Sequence, residues 1–204
     1  MLSELYDAIQ RDFEGLDKDG GPWQAPVRSN SPSITARALK SGSSMRGAES
    51  VEIMWAALAQ ARPDLVSEQT AFSVWHFCDN ESDANELVEL VLAGQKRATA
   101  SLVWSYETEG EPLPRVGDLS VVTDWSGQAR CVIRTTAVEV VGFQSVTAEF
   151  AATEGEGDGS LDYWRRAHQA AFGRELSAAG ITLDPDEPVV CECFEVVFGS
   201  CVTR

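Results

Sequence analysis

The sequence has no apolar run long enough to cross a bilayer, which sets a first limit on what the protein is. A membrane-spanning helix needs about 20 consecutive apolar residues, whereas the hydrophobic residues, 44% of this chain, are distributed in short runs. The first ten residues, MLSELYDAIQ, are acidic and amphipathic and lack the basic start and apolar segment of a secretory signal. We therefore expect a cytoplasmic protein with no membrane attachment.

Basic residues are also scarce. The chain has 16 Lys and Arg against 32 Asp and Glu, a formal net charge of -16. Affinity for long nucleic acids comes largely from lysine and arginine side chains that displace counterions from phosphates. The charge therefore argues against a protein that coats long RNA or DNA and favours a small ligand. Residues 28–49 are the exception, because four basic residues and one acidic residue give that segment a local charge of +3.

The five cysteines do not form a recognisable framework. Their number is odd and no secretory signal precedes them, so a disulfide scaffold is not expected. Cys191 and Cys193 share one face of a predicted strand, but no set of cysteines and histidines has the spacing of a zinc site. We expect buried thiols, and neither a bound metal nor a cofactor.

The first 50 residues predict an appendage to the main domain. Apolar residues recur at helical spacing from Leu2 to Leu16, which predicts an amphipathic helix. Residues 17–48 are rich in glycine, proline and serine, which is typical of an extended arm or linker. We therefore divide the chain into residues 1–50 and a domain at 51–204. The basic arm is a candidate for docking on that domain or on a second subunit, as in a homodimer.

The domain alternates helices with β-rich runs. Ser50 is the expected N-cap of a helix that ends before Pro63. Ser82 or Asp83 is the expected N-cap of the next helix, which ends at Gly94. Strands are predicted at 73–78, 98–106, 119–123, 129–141 and 189–198. Two further helices are predicted at 146–152 and from Ser160 to about residue 175.

The segment AGQKRATAS, residues 93–101, joins a predicted helix to a predicted strand and carries a candidate reactive pair. Thr99 follows Lys96 by three residues, so a short turn could bring its hydroxyl to the lysine amine, as in a nucleophile paired with a base. The spacing leaves a second interpretation open, in which Lys96 neutralises the free carbonyls at the end of the preceding helix.

A second polar segment, TEGEGDGS at residues 153–160, alternates three carboxylates with three glycines. Glycine lets the backbone turn sharply, so several of these side chains can point to one place, as in an active-site loop. A solvated acidic turn and a calcium-binding loop are the alternatives, although the spacing does not match an EF-hand and the final acidic ligand is missing.

Four ordered blocks between Trp75 and Phe198 resemble the ASCH domain family, a relative of the PUA domains, and most of all its bacterial branch. The blocks are residues 93–101, 106–118, 150–158 and 163–168. The resemblance implies an α+β fold in which helices surround a small PUA-like β-barrel. It also implies a cleft near the glycine-lysine motif that binds RNA or a nucleoside.

The resemblance implies an activity as well. Some members resemble amidohydrolases that remove the acetyl group of 4-acetylcytidine with a lysine, a threonine and a glutamate. The matching positions here are Lys96, Thr99 and Glu154. Members of that type carry an arginine two residues after the threonine, where this chain has Ser101. Arg97 and Arg165 are candidates for the substrate contact that this arginine would make.

The three matched residues suit amide hydrolysis. Thr99 could attack the carbonyl, Lys96 could act as base if burial lowers its pKa, and Glu154 could hold or exchange protons. We then expect them to converge on one cleft, with Lys96 partly buried and its amine within hydrogen-bond reach of Thr99 or Glu154. The contrary expectation is a solvated Lys96 and a Glu154 paired with an arginine.

Other functions remain open at this stage. The protein could be a ribonuclease, or a non-catalytic regulatory module that binds RNA or a nucleotide. In the second case Lys96 would contact a phosphate, and Trp104 or Trp164 would stack on a base. It could also be an interaction protein that acts through its N-terminal helix and arm. The net charge favours a modified nucleoside or a short RNA as the partner.

Overall fold

The structure, a computed structural model, describes residues 35–36, 45–67 and 69–199. The strands are β1 Thr35–Ala36, β2 Ser73–Trp75, β3 Ala98–Leu102, β4 Leu119–Thr123, β5 Ala129–Gly142 and β6 Pro188–Gly199. The helices are α1 Met45–Ala61, α2 Glu81–Leu92, α3 Val103–Glu109, α4 Ala148–Glu154 and α5 Leu161–Ser177, with a 3₁₀ turn at Phe143–Ser145. None of these helices is long and apolar enough to cross a membrane. The predicted helix at 2–16 and most of the predicted arm, with its docking on a second subunit, lie outside the described residues.

The strands form one sheet in the order β1-β2-β4-β5-β6-β3. β1, β2 and β4 pair in parallel, whereas β4, β5, β6 and β3 pair antiparallel. The sheet curls into a half-barrel with the helices around it, which confirms the predicted α+β, PUA-like class. β3 lies at one edge of the sheet, beside β6.

Two apolar clusters fix helices on this sheet. α2 buries Val88 and Val91, which share one helical face, against strands that contribute Val122 from β4 and neighbours from β5 and β6. α5 buries Trp164 and Phe172 in a second cluster with α4 and β3. Burying each apolar side chain of this size stabilises the fold by about 1.5–3 kcal/mol. α5 therefore fixes α4 and the end of β3, whereas α2 packs on the centre of the sheet.

Two local predictions are confirmed. The β-rich runs separated by residues 124–128 form the antiparallel hairpin of β4 and β5. Ser160 is the N-cap of α5, where its hydroxyl accepts the backbone N–H of Tyr163 at 3.1 Å. Both predictions relied on interactions between residues close in sequence.

The start of α1 was predicted wrongly. The helix begins at Met45, and Ser50 lies inside it. The Ser50 hydroxyl donates to the carbonyl of Gly47 at 2.7 Å and accepts the backbone N–H of Ala129 at 2.9 Å. An N-cap serine would accept an N–H two or three residues ahead. Ser50 instead ties α1 to the start of β5.

The N-cap of α2 was also predicted wrongly. It is Asn80, whose side chain accepts the backbone N–H of Asp83 at 3.0 Å. Ser82 and Asp83, the predicted caps, lie in the first turn. The carboxylates of Glu81 and Asp83 are favourable there because they lie near the positive end of the helix dipole.

The predicted strand at 98–106 is shorter than expected, because β3 ends at Leu102 and α3 follows at once. Val103 and Tyr106, three residues apart, bury the same face of α3 against Val190 of β6. This packing outweighs the β-propensity of the valine and the aromatic residues, which depends strongly on context.

Candidate functional site

α2 ends in a left-handed turn that leads the chain into the candidate site. Gly94 has φ +72°, its N–H donates to the carbonyl of Val91, and the N–H of Gln95 donates to that of Leu90. This pair of bonds is the Schellman arrangement, which favours glycine at the left-handed position. The turn points the Lys96 side chain into the protein, where it is fully buried.

The segment after α2 is hydrogen-bonded to the end of α4. The backbone N–H of Arg97 donates to the carbonyl of Thr153 at 3.1 Å. The side-chain amide of Gln95 donates to the carbonyl of Gly155 at 2.8 Å. Gly155 caps α4 with φ +68°, and a Cβ on it would lie 2.4 Å from the carbonyl oxygen of Gln95. Only glycine permits this approach, which sets Glu154 beside the lysine segment.

The Lys96 ammonium lies between two carboxylates. Its Nζ is 3.1 Å from Oε1 of Glu154 and 2.5 Å from Oε1 of Glu156, and it lies 5.1 Å from the centre of the Phe77 ring. The side chains of Lys96, Glu154 and Glu156 are 0%, 1% and 16% exposed. The structure thus brings Lys96 and Glu154 together, and it excludes the contrary expectation of a solvated lysine. We call Lys96, Glu154 and Glu156 the ion triad.

The ion triad keeps the lysine protonated. Burial alone would lower the pKa of Lys96, but the charges and hydrogen bonds of Glu154 and Glu156 outweigh burial and raise it. A general base at neutral pH needs a lowered pKa. The condition for a base role of Lys96 is therefore not met while both carboxylates hold it.

The Glu154 carboxylate is surrounded by donors. Besides Lys96, its Oε1 accepts the backbone N–H of Ala100 at 3.1 Å, and its Oε2 accepts the indole N–H of Trp164. Burial would raise the pKa of Glu154, but Lys96, His168 and these bonds together lower it to about 2. Glu154 is therefore a permanent anion that positions its neighbours.

His168 is buried beside Glu154. Its ring stacks on Trp164 at 4.2 Å, and its Nδ1 lies 3.0 Å from the carbonyl of Trp164, so Nδ1 must donate. Nε2 is 3.6 Å from Oε1 of Glu154. Burial lowers the pKa of His168, but the charge and hydrogen bond of Glu154, the charge of Glu156 and the Trp164 carbonyl together outweigh burial and raise it. The imidazolium is therefore favoured.

The raised pKa of His168 predicts a pH-dependent contribution to stability. A histidine whose pKa is higher in the folded than in the unfolded state stabilises the folded protein. This contribution is complete below the unfolded-state pKa, about 6.5, and is lost as the pH rises through the folded-state pKa. We expect the free energy of unfolding of the wild type, relative to His168→Gln, to fall as the pH rises from about 6.5 through the raised folded-state pKa. Urea titrations of both proteins across this range measure the difference. A difference that stays constant, or grows with pH, would contradict the assignment.

One large cleft opens beside the ion triad. Its volume is about 1100 Å³, and Thr99, Ser101, Glu154, Glu156 and His168 all line it. The predicted contact between Thr99 and Lys96 is not formed. The Thr99 hydroxyl makes no hydrogen bond to any residue that the structure describes, so it is open to a ligand. Thr99 and Glu154 therefore line one cleft, as predicted, whereas Lys96 lies behind the cleft wall.

Of Ser101, Arg97 and Arg165, the structure places only Ser101 at the cleft. Ser101 lines the cleft, and its hydroxyl lies 3.1 Å from that of Tyr106. Arg97 is exposed outside the cleft. Arg165 donates to the carbonyl of Gln144 at 3.0 Å and does not line the cleft either. Neither arginine therefore replaces the contact that Ser101 lacks.

The two tryptophans predicted to stack on a base are not available for that contact. Trp164 is 2% exposed, and its indole N–H is bonded to Glu154. Trp104 is half-buried against the apolar cluster around α5 and does not line the cleft. Helical spacing on α5 placed Trp164 on the buried stripe, so its core role could have been read from the pattern.

The acidic loop supplies one cleft carboxylate that was not among the predicted site residues. Glu156 pairs with Lys96 and lines the cleft. The alternation Glu154-Gly155-Glu156 was the available signal. Asp158, by contrast, accepts the backbone N–H of Ser160 at 2.9 Å. Within the described residues, no group of three or more acidic, histidine or cysteine side chains is arranged to hold a metal.

The sequence and the fold are similar to those of known proteins. The model of the ASCH domain family matches residues 73–198. A crystal structure of an ASCH domain from Lactobacillus crispatus JV V101 is 38% identical, with a TM-score of 0.67, and the match covers 78% of this chain and 98% of that one. A protein from Enterococcus faecalis V583 is 33% identical, with a TM-score of 0.68 and coverages of 74% and 90%. No match was found among curated protein sequences.

Proposed function

Because the chain belongs to the ASCH domain family, we propose that it binds a modified nucleoside or a short RNA in the cleft beside the ion triad and hydrolyses an amide bond of that ligand. One observation carries the proposal. An unbonded threonine hydroxyl and a partly exposed carboxylate of a buried ion triad line the same cleft. Thr99, Lys96 and Glu154 are also the residues that match the motif of the hydrolytic family members in sequence.

The triad members have different roles in this proposal. Lys96 is buried and cationic, so it fixes the two carboxylates and balances their charge. Glu154 holds the N–H of Ala100 in β3, the strand that carries Thr99. Glu156 is the most exposed member and can reach a ligand. Thr99 is the nucleophile, because its free hydroxyl lines the cleft.

The charge of the cleft favours an unphosphorylated nucleoside over RNA. Among the described residues that line it, ten are Asp or Glu and one, Arg174, is an arginine. Arg174 is itself paired with Asp79 at 3.3 Å. Phosphates bind where lysine and arginine predominate. Each nucleotide added to a ligand therefore adds repulsion.

The alternatives have less support from the geometry. A non-catalytic binding module was expected to use Lys96 on a phosphate and Trp104 or Trp164 on a base. Lys96 and Trp164 are buried, and Trp104 does not line the cleft. Both alternatives remain as distinct outcomes of the test below, since the PUA-like fold is often linked to RNA binding.

The test is a screen for hydrolysis. N-acylated cytidine, adenosine and guanosine, their 5′-monophosphates and a short labelled single-stranded RNA are incubated with the protein, and products are separated by chromatography. We expect hydrolysis of an acylated nucleoside, weaker activity on its monophosphate, and a loss of roughly 100-fold or more in Thr99→Val. Thr136→Val, on an exposed position of β5, is the matched control and should retain activity.

Three results would contradict the proposal. Cleavage of the RNA that depends on Thr99 would indicate a ribonuclease. Saturable binding of a nucleoside or RNA in calorimetry without any turnover would indicate a binding module. Full activity in Thr99→Val would remove the nucleophile from the mechanism.

A further inference from the structure

A threonine nucleophile needs a group that accepts its proton, and the ion triad does not supply one directly. The hydroxyl of threonine is weakly nucleophilic unless an adjacent base activates it. Lys96 is held as a cation and does not line the cleft. Glu154 has its oxygens occupied by Lys96, Ala100 and Trp164. The acceptor is therefore to be sought elsewhere on the cleft wall.

The sheet places another carboxylate next to Thr99. In the antiparallel pair of β3 and β6, Thr99 lies directly opposite Glu192. Residues that face each other in this way project from the same side of the sheet, with Cβ atoms about 4.5–5.5 Å apart. Both line the cleft. Glu192 therefore lies beside Thr99 on the neighbouring strand, outside the lysine motif.

Glu192 is a buried carboxylate among apolar residues of β6, and a hydrogen bond from β5 fixes its position. It is 7% exposed, in a β6 segment whose neighbours Val190 and Phe194 are buried apolar residues. Its Oε1 accepts the hydroxyl of Thr135 from β5 at 2.6 Å. A buried carboxylate is costly unless it is hydrogen-bonded. Strand β5 holds this one at the cleft wall, where a ligand can reach it.

We propose that Glu192 is the general base that takes the hydroxyl proton of Thr99 when Thr99 attacks a carbonyl carbon in the cleft, an inference that rests on the proposed acyl-transfer function. A bond forms between Oγ1 of Thr99 and the carbonyl carbon, and the carbonyl oxygen becomes an oxyanion. When the carbon–nitrogen bond breaks, Glu192 returns the proton to the leaving amine. Water then attacks the threonine ester and gives a proton to Glu192. As the bond between the acyl carbon and Oγ1 breaks, Glu192 returns that proton to Oγ1, which releases the acid and regenerates the free hydroxyl.

Acetylation by p-nitrophenyl acetate tests this step without knowledge of the natural substrate. The ester transfers its acetyl group to an activated hydroxyl and releases p-nitrophenolate. Mass spectrometry of the peptide that contains Thr99 then follows the acetylation rate at this residue alone. We expect labelling of Thr99 in the wild type and a roughly 100-fold slower rate in Glu192→Gln. Glu195→Gln is the matched control, because Glu195 is an exposed residue of the same strand, paired with Arg134. It should label like the wild type.

Chemical rescue separates a proton acceptor from a structural side chain. In Glu192→Ala, added formate should restore labelling of Thr99 at least tenfold, because a small carboxylate can occupy the space that the truncated side chain leaves, whereas chloride should not. Urea unfolding of each variant shows whether it is folded. If Glu192→Gln is unstable, Glu192→Asp keeps the carboxylate and should label at an intermediate rate.

The outcomes distinguish this inference from the proposed function. Unchanged labelling in Glu192→Gln, no labelling of Thr99 in the wild type, a larger loss in Glu156→Gln than in Glu192→Gln, or a Glu192→Ala protein that formate does not rescue would each overturn it. Labelling that depends on Glu192, in a protein that neither binds nor hydrolyses any nucleoside, would uphold it and reject the proposed nucleoside substrate.

Discussion

Lys96→Met is expected to lower the free energy of unfolding by about 3–5 kcal/mol, the usual effect of removing one partner of a buried ion pair. The methionine fills similar space but leaves the carboxylate of Glu154, 1% exposed, without its cation. In a protein of this size the change corresponds to a fall in Tm of roughly 6 to 20 °C. Urea unfolding and calorimetry measure it, and any loss of activity in this variant has to be read against its stability.

The pair of Arg134 and Glu195 provides the control for this prediction. Arg134 is 38% exposed and binds Glu195 on the surface. Exposed ion pairs contribute at most about 1 kcal/mol, so Arg134→Met should be close to the wild type. Equal effects of Arg134→Met and Lys96→Met would show that the buried lysine is not electrostatically coupled to Glu154 and Glu156.

Gly155→Ala is expected to destabilise the protein strongly and to disturb the ion triad. Gly155 and Gly110 both end helices, with φ of +68° in each case. A Cβ at 110 would have nothing within 4 Å, whereas a Cβ at 155 would lie 2.4 Å from the Gln95 carbonyl oxygen. Gly110→Ala should therefore cost only the left-handed conformation, about 1–2 kcal/mol. Gly155→Ala should lose this amount of stability and a further amount, because the backbone at Gln95 must move away from the added Cβ.

The difference between the two alanine variants measures the close approach between α4 and the lysine segment. Because Glu154 and Glu156 flank Gly155, we also expect Gly155→Ala to reduce any cleft activity by tenfold or more, whereas Gly110→Ala should retain it. Urea unfolding and the hydrolysis screen test the pair. Equal stabilities and activities of the two variants would mean that the loop relaxes without displacing the carboxylates.

Local signals predicted part of the fold. Ser160 caps α5 and the hairpin of β4 and β5 forms as expected, since both depend on residues close in sequence. Ser50 was misread because its partner is Ala129, on a distant strand. The boundary at Leu102 was missed because burial of α3 against β6 is a tertiary effect.

The candidate site was likewise predicted only in part. The order of the family motifs brought Lys96 and Glu154 together correctly, although they are 58 residues apart. Glu154 and Glu156 both raise the pKa of Lys96, and Glu156 was not among the matched residues, so the full charge balance at Lys96 could not be predicted from them. The position of Glu192 opposite Thr99 depends on strand register, which sequence patterns specify only through the buried face.

The position of β3 at the sheet edge has a consequence for self-association. An edge strand presents unpaired N–H and C=O groups that a strand from another molecule can join. Here the outward N–H of Ala100 donates to Glu154, and that of Arg97, just before the strand, donates to the carbonyl of Thr153. The end of α4 therefore occupies the places that an incoming strand would need. The carboxylate that organises the cleft is also the group that closes this edge against aggregation.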